Sequence, residues 1–223
     1  MRIAIIGAGN IGGNAARLFA VAGHQVAISF SRDPAALNAL AADLGGTADT
    51  PERVTRGADI VVLSVPWGLV DEALAEAGGP ATLDGSIVID TTNQFERRDG
   101  ALAVLDLGES SASRYNARKV PGARWVKAFN TLTAGFQAST AGRTGPDRVV
   151  MFYGTDDESA VPTVEQLIND AGFDPVRTGT LARTEVGHQE PKGDLYGEEF
   201  HHDQALSLVA SLRGSPPSGR GRP

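Results

Sequence analysis

The sequence predicts a doubly wound α/β fold, a mostly parallel sheet covered by helices on both faces. Three observations predict it. Short runs rich in Ile, Val and Leu recur at residues 2–6, 59–65 and 86–90, and near-continuous apolar runs belong to strands buried on both faces. Amphipathic segments at helical spacing separate these runs, the alternation that builds parallel βαβ units. The first run leads directly into Gly7-Ala8-Gly9-Asn10-Ile11-Gly12, the G-x-G-x-x-G spacing with which a strand-turn-helix unit meets a dinucleotide.

In that turn Gly7 permits the sharp exit from the strand, Gly9 lets the backbone approach a pyrophosphate, and Gly12 lets the next helix pack close to the sheet. The helix start adds unpaired N–H groups and a partial positive charge. Ile11, Ala15, Leu18, Phe19 and Ala22 recur at helical spacing, and Gly23 stops this helix before a second strand at 25–30. A helix is expected at about 34–44, a short strand near 46–48, a helix opening at Pro51 and a fourth strand at 59–65. Val70, Ala73, Leu74 and Ala77 form the stripe of the next helix, which Gly78-Gly79 ends before a fifth strand at 86–90. Residues 91–124 read as a long connection with one helix at about 111–119. A sixth strand at 125–129, a seventh at 148–153, a helix opening with the acidic turn 154–159, a final strand at 174–178 and a helix at 203–212 complete the pattern. The division expected is a Rossmann-type dinucleotide-binding domain at 1–154, a small α/β extension at 155–212 that completes the cleft, and a flexible Gly/Pro/Ser/Arg-rich tail at 213–223.

Composition narrows the chemistry. A net charge of −7 over 223 residues argues against a nucleic-acid partner, which needs a clustered basic face. There is no apolar run of membrane-spanning length and no signal-peptide pattern at the N-terminus, so a cytoplasmic location is expected. With no cysteine, thiolate nucleophiles and Cys-ligated metals are excluded, and redox chemistry must come from a cofactor. His188, His201 and His202 are expected to be solvated rather than metal ligands.

Ligands of open parallel sheets lie beyond the carboxyl ends of the strands. The residues there are the glycine turn, Ser31-Arg32, Ser64-Val65-Pro66-Trp67, Thr91-Thr92-Asn93 and Asn130-Thr131-Leu132. A hydroxyl beside a guanidinium after the second strand suits a 2′-phosphate, favouring NADP over NAD, while Asp33 leaves room for NAD. Pro66 stiffens its turn; Trp67 either walls the nicotinamide or packs its helix against the sheet. Asn130 and Thr131 either orient the carboxamide or acceptor, or cap the strand end. Lys127, inside a strand, faces either core or groove; with Tyr115 and His188 it is a candidate proton donor.

The pieces R-I-A-I-I-G-A-G-N-I-G at the start, S-R at 31–32, D-I-V-V-L-S-V-P-W at 59–67, V-K-A-F-N-T-L at 126–132 and G-T-D-D-E at 154–158 resemble the NADPH-dependent reductases of the deazaflavin coenzyme F420. That family of NADP oxidoreductases also supplies the cytosolic domain of membrane ferric reductases. The resemblance implies direct hydride transfer between NADP(H) and a deazaflavin or flavin, with no catalytic side chain and no metal. By analogy Gly9, Asn10 and Ile11 would hold the pyrophosphate, Ser31 and Arg32 the 2′-phosphate, and Pro66, Trp67, Asn130, Thr131 and Leu132 the nicotinamide side; a homodimer is also implied. Residues 184–202 depart from the pattern, being polar where those enzymes carry an apolar helical segment. An NADPH-dependent reductase of a small imine or carbonyl and a non-catalytic NADPH sensor are the alternatives.

Overall fold

The computed structural model describes residues 1–98 and 100–219. Strand β1 (Arg2–Ile6) passes through the glycine turn into α1 (Asn10–Val21), β2 (Gln25–Ser29), α2 (Pro34–Asp43), the two-residue β3 (Thr47–Ala48) and α3 (Pro51–Thr55). Strand β4 (Ile60–Leu63), helices α4 (Val70–Glu76) and α5 (Pro80–Leu83) and strand β5 (Ile87–Asp90) follow. A hairpin of β6 (Phe95–Arg98) and β7 (Ala101–Val104) and the helix α6 (Ala112–Ala117) then lead to β8 (Arg124–Ala128) and α7 (Ala134–Thr140). The chain closes with β9 (Val150–Thr155), α8 (Val161–Asp170), β10 (Asp174–Gly179) and α9 (His202–Leu212).

The eight-stranded sheet runs β10-β9-β8-β5-β4-β1-β2-β3. All neighbours are parallel except β8 and β9, so β9 and β10 run against the rest. This is the Rossmann-like, mostly parallel sheet expected. Its strand order reverses between β1 and β4, the switch point at which such sheets open a crevice. Successive strand residues feed opposite faces: Ile3, Ile5, Val62 and Ile89 join Phe19 of α1 in one core, while Ala4, Ile6, Val61 and Val88 join Leu74 of α4 in the other. Outside these, Leu195, Phe200 and α9 cover Phe152 and Val176 of β9 and β10 in a third cluster.

Several expectations need correction. Phe30 and Phe129, read as the last residues of their strands, have φ of 60° and 59°; the left-handed turn at each ends the ladder and delivers the chain into the loops 31–33 and 130–133. The connection 91–124 contains the β6–β7 hairpin, whose signal was the Asp99-Gly100 pair between two short runs. Helix α7 also went unread, although Thr133 caps it by accepting from the Phe136 N–H at 3.3 Å. The strand expected at 148–153 lies two residues later, and the acidic turn after it forms a 3₁₀ turn at Glu158–Ala160 before α8 begins.

His188, expected to be solvated, is 2% exposed. Its Nδ1 lies 2.7 Å from Asp194 Oδ2 and its Nε2 3.0 Å from the Ser215 carbonyl. Partners for both ring nitrogens make its burial tolerable. The segment read as merely polar is therefore packed into the molecule, with Val186, Gln189 and Glu190 buried beside it. Ser218 N–H donates to Asp194 as well, at 3.1 Å; residues 220–223 of the expected tail lie outside the described residues.

Candidate functional site

The turn between β1 and α1 is shaped by contacts that only glycine allows. Gly7 sits at φ +102°, and a Cβ there would lie 2.2 Å from the Ser64 carbonyl oxygen; at Gly12 it would lie 1.9 Å from the Gly7 oxygen. At Gly9 a Cβ would meet nothing within 4 Å. So two glycines close the turn against β4 and the third leaves open space. That space is the end of a groove of about 1680 Å³ over the carboxyl ends of β1, β4, β5 and β8. Single small-molecule pockets usually span about 300–1,000 Å³.

Of the residues singled out from the sequence, Gly9, Asn10 and Ile11 line this groove, as do Ser64, Pro66 and Trp67, and Asn130, Thr131 and Leu132. Gly7 and Gly12 lie behind its surface, where their role is steric. Ser31 and Arg32 do not line it. Ser31 Oγ pairs with its neighbour Asp33, and Asp33 Oδ1 accepts from the N–H groups of Ala35 and Ala36 at 3.0 Å each, capping α2. Arg32 is exposed and has no ion pair or hydrogen bond among the described residues.

The α1 terminus fits an anionic ligand. Its N-cap, Gly9, brings no side-chain acceptor to the first-turn N–H groups, and no acidic residue stands in that turn, so the amides and the helix dipole are free to face a phosphate. In the same lining Trp67 is held by Tyr115, their ring centroids 5.6 Å apart at 39°, and Lys119 Nζ lies 4.9 Å from the Tyr115 ring. The hairpin lies against the Trp67 turn and adds Phe95 and Leu102 to the lining.

The floor is a hydrogen-bonded lattice that the sequence did not announce. Asn93 Nδ2 donates to the Asn130 carbonyl at 3.0 Å, and Asn130 Nδ2 donates to Asn93 Oδ1 at 3.0 Å and to the Gln189 carbonyl at 2.7 Å. Gln137, wholly buried on α7, holds the same loop by donating to the Phe129 and Leu132 carbonyls. Beneath the floor Asp90 and Lys127 are both 0% exposed, with Nζ 3.7 Å from Oδ2. Lys127 Nζ donates to the Thr92 carbonyl, and Asp90 accepts from Thr92 N–H, Thr92 Oγ, Ser113 Oγ and Asn116 Nδ2. Lys127 thus faces the core. Neither it nor Tyr115 nor His188 lines the groove, and among the described residues no cluster of three or more His, Asp or Glu residues is arranged to hold a metal.

Glu190 completes this buried group, accepting from Ala112 N–H at 2.6 Å and Gln94 Nε2 at 3.2 Å. Burial pushes its carboxyl above the usual glutamate range, against the opposing pull of Lys127. A raised folded-state value means that the native state binds the proton more tightly than the unfolded chain. The stability so gained is present at low pH and is lost as pH rises from the ordinary glutamate range through the raised value. Glu190→Gln is expected to flatten that part of the stability curve, measured by urea unfolding between pH 4.5 and 8.5; an unchanged slope would refute the assignment.

Among the described residues no helix is long and apolar enough to cross a membrane. No curated protein matches the chain. A hypothetical protein from Sinorhizobium meliloti, SMa0349, is 31% identical, with 91% of this chain and 96% of that one aligned and a TM-score of 0.78. A provisionally named F420-dependent NADP-reductase from Arthrobacter sp. FB24 is 26% identical over 81% of this chain and 86% of its own, with a TM-score of 0.71. A reductive aminase from Aspergillus terreus, solved with NADPH, shares the fold at 19% identity and a TM-score of 0.63; the alignment takes in 95% of this chain but 61% of that one. The family model described as NADP oxidoreductase, coenzyme F420-dependent, matches residues 2–94, the stretch that carries the glycine turn, the Ser31-Arg32 pair and the Pro66-Trp67 turn. Over residues 2–94 the chain belongs to that family of NADP-linked oxidoreductases.

Proposed function

We propose that the chain transfers hydride between NADP(H) and a deazaflavin or flavin acceptor, coenzyme F420 being the deazaflavin its family points to. The observation that carries this reading is the continuous groove, lined both by the bare terminus of α1 and by Trp67, Phe95 and Tyr196. NADPH, when bound, supplies a hydride from its nicotinamide ring; the protein's part is to place that ring against a second one and exclude water. In this reading Gly9, Asn10 and Ile11 receive the pyrophosphate on main-chain amides, while Gly7 and Gly12 shape the turn. Ser64, Pro66 and Trp67 form one wall of the nicotinamide site and Asn130, Thr131 and Leu132 the other. A small imine or carbonyl acceptor would need a proton donor, and the three candidates read from the sequence all lie outside the groove lining. The domain division at 1–154 and 155–212, the cytoplasmic location and a homodimer remain part of the proposal.

The test is to mix the purified chain with NADPH and oxidised deazaflavin and follow the loss of deazaflavin absorbance. No turnover with deazaflavin or flavins would refute the reading. For the 2′-phosphate, Ser31 and Arg32 are the proposed partners. Arg32 is exposed and unpaired, and the one neighbouring carboxylate, Asp33, is engaged as the α2 cap. Arg32→Ala is expected to raise the KM for NADPH about tenfold or more with little change in kcat, the mark of lost uniform binding. An unchanged NADPH/NADH preference would remove Arg32 from the site.

A further inference from the structure

The segment 186–197, which departs from the family pattern, carries a side chain into the groove, and we infer that its Tyr196 is the contact for the hydride acceptor, donating its phenol O–H to that molecule. The inference rests on the functional reading above. The segment is built rather than draped. A 3₁₀ turn at Val186–Gln189 is followed by a tight bend in which a Cβ on Gly193 would lie 2.3 Å from the His188 oxygen. Leu195 N–H returns to the His188 carbonyl at 2.9 Å, and the Leu195 side chain is 1% exposed in the third core. Gly197 N–H donates to the Thr131 carbonyl at 2.9 Å. Tyr196 is thus pinned on both sides, to the core through Leu195 and to the site loop through Gly197, and its half-buried ring lines the groove.

The phenol is available. Tyr153 donates its O–H to Glu165 at 2.5 Å, whereas Tyr196 O–H has no partner among the described residues. Thr91 and Thr92 also line the groove, and their hydroxyls already donate to the Leu63 carbonyl and to Asp90. Partial burial holds the Tyr196 phenol above its ordinary range, so it stays protonated at neutral pH and acts as a donor. When the acceptor takes the hydride with its electron pair, the nicotinamide C4–H bond breaks, NADPH is oxidised and the acceptor gains negative charge on a ring nitrogen or carbonyl oxygen. A proton from solvent completes the two-electron reduction. A donor fixed beside that heteroatom stabilises the charge as it develops.

The experiment uses the full chain with Tyr196→Phe and Tyr196→Ala, an NADPH titration by fluorescence, and steady-state kinetics with oxidised deazaflavin, FMN and a cyclic imine as acceptors. Tyr196→Phe is expected to lower kcat/KM for the acceptor about tenfold and Tyr196→Ala about a hundredfold, with the NADPH Kd within about twofold of wild type. Wild-type kcat/KM in both variants, or a loss matched by an equal loss of NADPH affinity, would overturn the inference while leaving the functional reading in place. Turnover of the imine alone, with the same dependence on Tyr196, would overturn the functional reading and leave the inference. A wild-type chain that binds NADPH and reduces none of the three would overturn both.

Discussion

Gly9→Ala is expected to leave the fold intact and to weaken NADPH binding at least about tenfold, whereas Gly12→Ala is expected to destabilise the fold itself. The two glycines share one motif and differ in what a methyl group would meet. At Gly9 the backbone has φ of −75° and a Cβ would find open space within 4 Å. Alanine is therefore conformationally acceptable there, and by restricting the unfolded chain it adds up to about 1 kcal/mol. The new methyl stands where the proposed pyrophosphate comes closest to the backbone, and a tenfold rise in Kd corresponds to about 1.4 kcal/mol. At Gly12 the Cβ would lie 1.9 Å from a carbonyl oxygen, with backbone on both sides of the clash and no flexible side chain to yield. Overpacking of this kind costs about 1–3 kcal/mol. Thermal unfolding without ligand separates the pair: a melting temperature at or slightly above wild type for Gly9→Ala, and a fall of several degrees for Gly12→Ala. A Gly9→Ala variant that binds NADPH like the wild type would place the pyrophosphate elsewhere.

The same contrast shows what was legible in the sequence. The sheet and its switch point were readable because strands buried on both faces must be apolar throughout, and because the glycine turn has one spacing. The groove-lining positions after β1, β4 and β8 followed from that rule. What escaped depends on long-range geometry. Nothing local in Asp90, Thr92, Ser113, Asn116 or Lys127 says that five residues from three segments converge on one buried cluster. The run at 184–202 looked solvated because its residues are polar; its burial is made possible by Asp194 within the run and by partners far along the chain, Ser215 for His188, Ala112 and Gln94 for Glu190. Phe30 and Phe129 were read as strand residues because aromatic residues favour strands, and the tertiary packing holds both in the left-handed region instead. The Asp99-Gly100 hairpin signal was local and was available to be read.

Lys127→Met is expected to be among the most destabilising single substitutions in this chain, at about 3–5 kcal/mol, and to act through the floor of the groove rather than through a lost proton donor. Lys127 and Asp90 are wholly buried on neighbouring strands of the central sheet, in the register that pairs Asp90 with Lys127. Methionine fills similar space but removes the cation that pairs with Asp90 among the described residues, leaving the buried Asp90 carboxyl group with the neutral donors Thr92, Ser113 and Asn116 alone. It also frees the Thr92 carbonyl, whose residue lines the groove next to Asn93. In a chain of this length the loss corresponds to roughly a 10 °C fall in melting temperature. Adding Asp90→Asn in the same chain removes the uncompensated charge and is expected to recover part of the stability, a coupling that a double-mutant cycle in urea reads directly. Additive effects would show that the two side chains do not share their charge. A Lys127→Met protein with wild-type stability and lowered kcat would return the lysine to the chemistry and favour the imine or carbonyl acceptor over the deazaflavin.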